Sequence, residues 1–191
     1  MIITFSPEQS VEQETLIVNQ LLEKGIDLFH IRKYGLSDDA MLDYINAIDA
    51  PYRNRLVLHS HFHLAKENGI GRLHFNEMYR AKKEELKYAD AFVLSTSVHS
   101  IEVFNGLGKT WAYAFLSPIF SSISKPGYGA GNSVFDSLQC RNNVNVSLIG
   151  LGGIDRQNYK KVLDAGADGI ALLGGIWKSG NPIDVLSALM Q

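Results

Sequence analysis

A single cysteine, Cys140, stands in this chain of 191 residues, so no internal disulfide can form and a reducing compartment is expected. An excess of charge of one sign is missing too. The 18 Lys and Arg nearly balance the 20 Asp and Glu, which argues against a broad polyanion-binding surface and so against nucleic acid as a partner. No apolar run approaches the roughly 20 residues of a membrane span, so no membrane partner is expected. The start, Met1-Ile2-Ile3-Thr4-Phe5, reads as a strand, without a basic segment, apolar stretch and small-residue cleavage site in succession; cytoplasm is the expected location. Linkers, low-complexity tracts and breaks in composition are also lacking, which predicts one domain over residues 1–191.

What the chain does have is glycine, in two arrangements near its end: Gly150-Leu151-Gly152-Gly153-Ile154 and Gly166-Ala167-Asp168-Gly169-Ile170-Ala171-Leu172-Leu173-Gly174-Gly175. Each doublet follows a short apolar run and precedes a segment able to form a helix. Bare backbone lets N–H groups approach an anion, and a following helix turns its positive end the same way. Two such turns side by side predict a phosphate cup at Gly152, Gly153, Gly174 and Gly175, the position it commonly takes after the last two strands of a (β/α)8 barrel.

Earlier units support that count. Apolar runs at Ile2–Phe5, Leu28–Arg32, Arg55–His59, Arg72–Phe75, Ala91–Ser95 and Trp111–Leu116 read as strands. The segments between them carry helical spacing or caps: Ser6-Pro7 and the Leu16, Val18, Leu21, Leu22 stripe closed by Gly25; Ser37-Asp38-Asp39 with Met41, Leu42, Ile45 and Ile48; Phe62–Asn68; Ala81–Lys87; Ile101–Asn105; and Phe135–Leu138. Continuous apolar strands fit a parallel sheet covered by helices. Eight consecutive units predict an α/β fold, a (β/α)8 TIM barrel with short helices, over an open doubly wound sheet.

In such a barrel the chemistry lies where strands end. That rule collects His30, Arg32 and Lys33 after strand two, His59, Ser60, His61 and His63 after strand three, His74, Asn76 and Glu77 after strand four, and Ser95, Thr96, Ser97 and His99 after strand five. All six histidines are therefore expected on one rim between strands two and five. His30, His59 and His74 are candidate donors, neutral or protonated, to an anionic or heteroaromatic substrate near neutral pH. His59 and His61, two apart, could share a face and ligate a transition metal if a further ligand were present. For His63 and His99 an ordinary hydrogen-bonded loop role is expected. Arg32 with Lys33, opposite Lys125, would make a second anion site; for Lys33 alone a salt bridge is the preferred expectation. The run Ser122-Ile123-Ser124-Lys125-Pro126-Gly127-Tyr128-Gly129-Ala130-Gly131 reads as a lid over an anionic group.

At this loop the chain resembles the thiamine-phosphate synthases and the related thiazole tautomerases. The resemblance rests on His30-Ile31-Arg32 with Gly35-Leu36-Ser37, Gly71-Arg72-Leu73-His74, and Ser95-Thr96-Ser97-Val98-His99-Ser100. It rests also on Ser117-Pro118-Ile119-Phe120 with Ser122-x-Ser124-Lys125, on Leu151-Gly152-Gly153-Ile154, and on Gly166-Ala167-Asp168-Gly169-Ile170-Ala171. It implies a (β/α)8 barrel and a transferase that joins hydroxymethylpyrimidine diphosphate to a thiazole phosphate, releasing pyrophosphate. Small phosphorylated heterocycles are the implied substrates and Mg2+ the implied cofactor. By the same resemblance the glycine cup holds the thiazole phosphate, Arg32, Ser97 and Lys125 hold the departing pyrophosphate, and Ser122 and Ser124 stand at the family's usual threonines.

The family's Mg2+-binding aspartates are replaced here by His59-Ser60 and Tyr79, with Glu77 the nearest carboxylate. Its glutamine is His30 and its lysine is Tyr34. The tautomerase histidine corresponds to Pro118. A thiazole-phosphate isomerase and a thiamine-phosphate-binding protein without catalysis are therefore the alternatives to the synthase reading. The sequence fixes no oligomeric state, and a homodimer stays possible.

Overall fold

In the computed structural model, residues 1–121 and 133–190 are described; Ser122, Ser124 and Lys125, with the expected lid, lie outside them. Eight strands form one closed parallel barrel in sequence order: β1 Ile2–Phe5, β2 Leu28–Ile31, β3 Leu56–Leu58, β4 Arg72–Phe75, β5 Val93–Val98, β6 Trp111–Leu116, β7 Ser147–Leu151 and β8 Gly169–Leu172. The seam is a parallel pairing of β1 with β8, Ile3 opposite Ala171. The expected barrel is therefore the observed one.

Two apolar clusters divide the structure. A small one lines the barrel interior, with Ile3, Phe5, Val57, Phe115 and Ile149. A far larger one lies between the outer faces of the strands and the elements wrapped around them, including Phe29, Leu58, Phe75, Phe104 and Leu148. Side chains alternate along a strand, so odd and even positions of one strand serve different clusters: Leu28 points inward and Phe29 outward.

The helices are short, as expected: α1 Glu14–Lys24, α2 Asp38–Asn46, α3 Glu77–Ala81, α4 Ile101–Asn105, α5 Tyr159–Asp164, α6 Gly174–Trp177 and α7 Pro182–Leu189. Ser37 caps α2 by accepting from the Ala40 N–H, and Gly25 closes α1 at φ 113°. Three expectations fail. The first helix starts at Glu14 and not at Pro7, because the Ser6 hydroxyl accepts from the Arg32 N–H at 2.7 Å and so ties β1 to β2. Unit three has no α-helix, only 3-10 turns at Phe62–Leu64 and Lys66–Asn68. The segment from Ala81 to Lys87 is split, Lys83 taking φ 55° between α3 and a 3-10 turn at Glu84–Lys87.

Candidate active site

Inward positions on β2, β4 and β5, and the residue just past β3, are polar. His30, His59, His74 and Ser95 occupy them, each at most 3% exposed, where branched aliphatic side chains commonly fill a barrel. The three imidazoles lie against one another. His59 and His74 are stacked with centroids 4.2 Å apart, and His30 meets both edge-on.

Each ring nitrogen has a polar neighbour. His30 Nδ1 is 2.9 Å from His59 Nε2, and the Tyr113 hydroxyl is 2.8 Å from His30 Nε2. The Tyr34 hydroxyl lies 3.3 Å from His59 Nδ1. Ser95 Oγ sits 3.0 Å from His74 Nδ1 and also faces the Leu73 carbonyl, to which it can only donate. It therefore accepts from His74 Nδ1–H, leaving Nε2 as the acceptor toward Ser97 Oγ at 3.1 Å. Burial is the main reason the rings stay neutral. Desolvation, then the neighbouring His74 and Arg72, holds His30 well below the usual imidazole range. Desolvation with His74, His30 and Arg32 does the same for His59. Desolvation with Arg32 and Arg80 brings His74 down to about 3. Of the two states open to these donors, neutral and protonated, burial favours the neutral one.

His59 and His74 form part of the wall of a cavity of about 500 Å³ at the C-terminal mouth; His30 lies a layer deeper and is not on that wall. The four predicted glycines, Gly152, Gly153, Gly174 and Gly175, come together on this wall, as do Arg32, Ser97 and Glu77. The glycines have structural duties as well. The segment after β6 runs along the end of β7, with Ile119 N–H on the Leu151 carbonyl and Phe120 N–H on that of Gly152. A Cβ on Gly153 would lie 2.3 Å from the Ser121 carbonyl oxygen, and one on Gly175 would lie 2.6 Å from that of Ile154. Gly175→Ala is accordingly expected to cost about 1–3 kcal/mol through overpacking and to weaken phosphate binding at least several-fold. Urea unfolding and calorimetric titration with inorganic phosphate check both.

The remaining candidates divide by position. Arg32 reaches the mouth and pairs with Glu8. Glu77 is exposed and stands 3.7 Å from Arg80. Tyr79 is turned into the outer layer, edge-on to Phe62 and Phe75. Lys33 is not part of an anion site. One residue beyond Arg32, it faces outward, buried, with Nζ 2.8 Å from Glu14 Oε2. The six histidines do not form one rim. His61 takes φ 55° and turns away to the Leu36 carbonyl, so it cannot share a face with His59, and His63 contacts Asp38 at 3.0 Å. His99 Nδ1 lies 2.9 Å from the Ser117 carbonyl. Tyr113 was not among the expected site residues, although its inward parity on β6 was available. Arg80, which donates to Thr96 Oγ1 and the Ser97 carbonyl, gave no such signal.

The profile of the thiamine monophosphate synthase family matches residues 1–176. The chain belongs to that family. Among its thiamine monophosphate synthase relatives, one from Listeria monocytogenes, named thiamine-phosphate synthase, is 25% identical, with 95% of this chain and 91% of the relative covered. The barrel is similar to the crystal structure of thiamine phosphate pyrophosphorylase from Bacteroides thetaiotaomicron, at TM-score 0.81 and 24% identity, covering 100% of this chain and 95% of that one. A thiamine phosphate pyrophosphorylase from Pyrococcus furiosus superposes at TM-score 0.77 and 18% identity, covering 99% and 92%. These two likenesses speak to the fold; the profile match carries the family membership.

Proposed function

We propose that this protein condenses hydroxymethylpyrimidine diphosphate with a thiazole phosphate to give thiamine phosphate and pyrophosphate. The observation that supports this is one cavity lined both by the glycine turns after β7 and β8 and by the donors Arg32 and Ser97. Two anionic substrates must meet in a single site, and a cavity of about 500 Å³ is in the range that holds drug-sized ligands.

In the reaction the diphosphate leaves the exocyclic carbon with the bonding pair, and the thiazole nitrogen donates its lone pair to the resulting pyrimidine cation. No proton need move. The protein's task is to hold the thiazole phosphate at the glycine turns and to stabilise charge on the departing group. Arg32 offers that group a planar fork of donors once Glu8 gives way, and Ser97 offers a hydroxyl. Lys125 and the two loop serines remain assigned to it from the sequence.

Mg2+ does not fit the described wall of this cavity. That ion takes near-octahedral oxygen ligands, and the wall offers one carboxylate, Glu77, which faces Arg80. No step is assigned to Mg2+. The test is an assay with both heterocycles, reading thiamine phosphate and pyrophosphate together. Stoichiometric appearance of both is expected, whereas no turnover with Mg2+ or with a transition metal would sink the synthase reading. Interconversion of carboxythiazole phosphate isomers without any pyrimidine would replace it with an isomerase.

A further inference from the structure

The three interior imidazoles have a use that hydrogen bonding alone does not exhaust. One ring nitrogen from each of His30, His59 and His74 lies within 4.8 Å of those from the other two. The opposite nitrogens are already engaged by hydroxyls: His30 Nε2 by Tyr113, His59 Nδ1 by Tyr34 and His74 Nδ1 by Ser95. Metal-bound histidines are oriented in this way, the second nitrogen fixed by a polar neighbour while the first faces the ion. The inward-facing set is then His30 Nδ1 and His59 Nε2, which contact each other, and His74 Nε2, from which the Ser97 hydroxyl at 3.1 Å must turn for a metal to bind. In a tetrahedral site with metal–nitrogen bonds of about 2.1 Å, ligand nitrogens lie about 3.4 Å apart. The His30–His59 pair at 2.9 Å must open slightly, the widest pair must close by at most about 1.4 Å, and the stacked His59 and His74 rings must turn so that both planes meet at the ion.

We propose that His30, His59 and His74 form a three-imidazole site for a divalent transition metal such as Zn2+, with the fourth coordination position open to the cavity. Imidazole nitrogen suits zinc, copper, iron and nickel, whereas Mg2+ takes oxygen. The site therefore differs in chemistry from the oxygen-ligated Mg2+ centre that does not fit this mouth. Three protein ligands and one open position are also the arrangement that lets a metal meet water or a substrate oxygen. Around the triad stand Arg32, Arg72 and Arg80, whose charge is felt at the rings. That field opposes a bare dication and favours one carrying an anion as fourth ligand, so phosphate and metal are expected to bind together. The proposal does not depend on the synthase reading, because it is tested by binding without either heterocycle.

The experiment is calorimetric titration of chelator-treated protein with Zn2+, with and without inorganic phosphate, and a parallel Co2+ titration read by visible absorption. One ion per chain is expected, with a spectrum of four-coordinate Co2+, binding tightened by phosphate, and no response to Mg2+. His59→Gln should weaken Zn2+ binding at least 100-fold. Tyr113→Phe, which keeps all three ligands and removes only the hydroxyl that holds His30, should weaken it about 10- to 100-fold. His63→Ala should leave binding unchanged, separating the interior site from the exposed His63 and Asp38 pair. Absence of stoichiometric Zn2+ binding in both buffers overturns the proposal. So does equal binding by a folded His59→Gln protein, and so does loss of binding in His63→Ala alone.

Discussion

Lys33→Met is expected to lower stability by about 3–5 kcal/mol, the usual consequence of leaving one partner of a buried ion pair alone. Lys33 and Glu14 are 6% exposed each, and their charged ends meet at 2.8 Å. Glu14 also accepts from the Tyr44 hydroxyl at 2.6 Å and the Val11 N–H at 3.3 Å. Removing the ammonium leaves a carboxylate sealed among these donors with no counter-charge. For a chain of this length the loss corresponds to a fall in Tm of roughly 10 °C. The double variant Lys33→Met with Glu14→Gln should recover most of the loss, because two neutral groups replace a lone charge. Phosphate affinity at the mouth should hold, since the pair lies in the outer layer. Thermal unfolding of the two variants, with phosphate titration of the folded forms, reads both results. A fall in affinity without a fall in Tm would return Lys33 to the anion site from which its position removes it.

Acid should destabilise the metal-free protein well before its carboxylates protonate. The interior histidines have folded pKa values below their unfolded value near 6.5, His74 reaching about 3. A depressed folded pKa means that the unfolded chain binds more protons, so stability is fully present above about pH 6.5 and declines as pH falls toward the folded value. At pH 5 the loss from His74 alone is about 2 kcal/mol by the linkage relation, and His30 and His59 add losses of the same sign. That is a sizeable part of the stability of an ordinary domain. Urea midpoints at pH 7, 6 and 5 test it. His74→Gln should flatten the slope, whereas a midpoint unchanged between pH 7 and pH 5 would show that the imidazoles titrate in the folded protein as they do in the unfolded chain.

Much of this structure is legible from residue order. Strands announce themselves because both faces are covered, so apolar runs such as Trp111–Leu116 have no polar face to disguise them. Turn glycines and the Ser37 cap are local signals and were read correctly. What escaped depends on partners far along the chain. Ser6 has the chemistry of a helix cap, yet its hydroxyl goes to Arg32, a residue of the neighbouring unit. Lys33 looks like a mouth residue until β2 parity turns it outward to Glu14. His61 shares parity with His59 only while the strand continues, and β3 ends at Leu58. The interior triad lay within reach: strict alternation carries His30, His74, Ser95 and Tyr113 to one lumen. The pairing of each ring with a hydroxyl required the barrel's register.

The separation of the two apolar clusters decouples the chemistry of the lumen from the cohesion of the barrel. Cohesion resides in the mantle between strands and helices, where Phe29, Phe75, Phe104 and their neighbours are packed away from the mouth. The lumen contributes a smaller share. Substitutions among the lumen side chains therefore leave the mantle, which keeps the barrel closed, largely untouched. A change of ligand type then calls for a few substitutions at inward strand ends, and no rearrangement of the architecture that presents them.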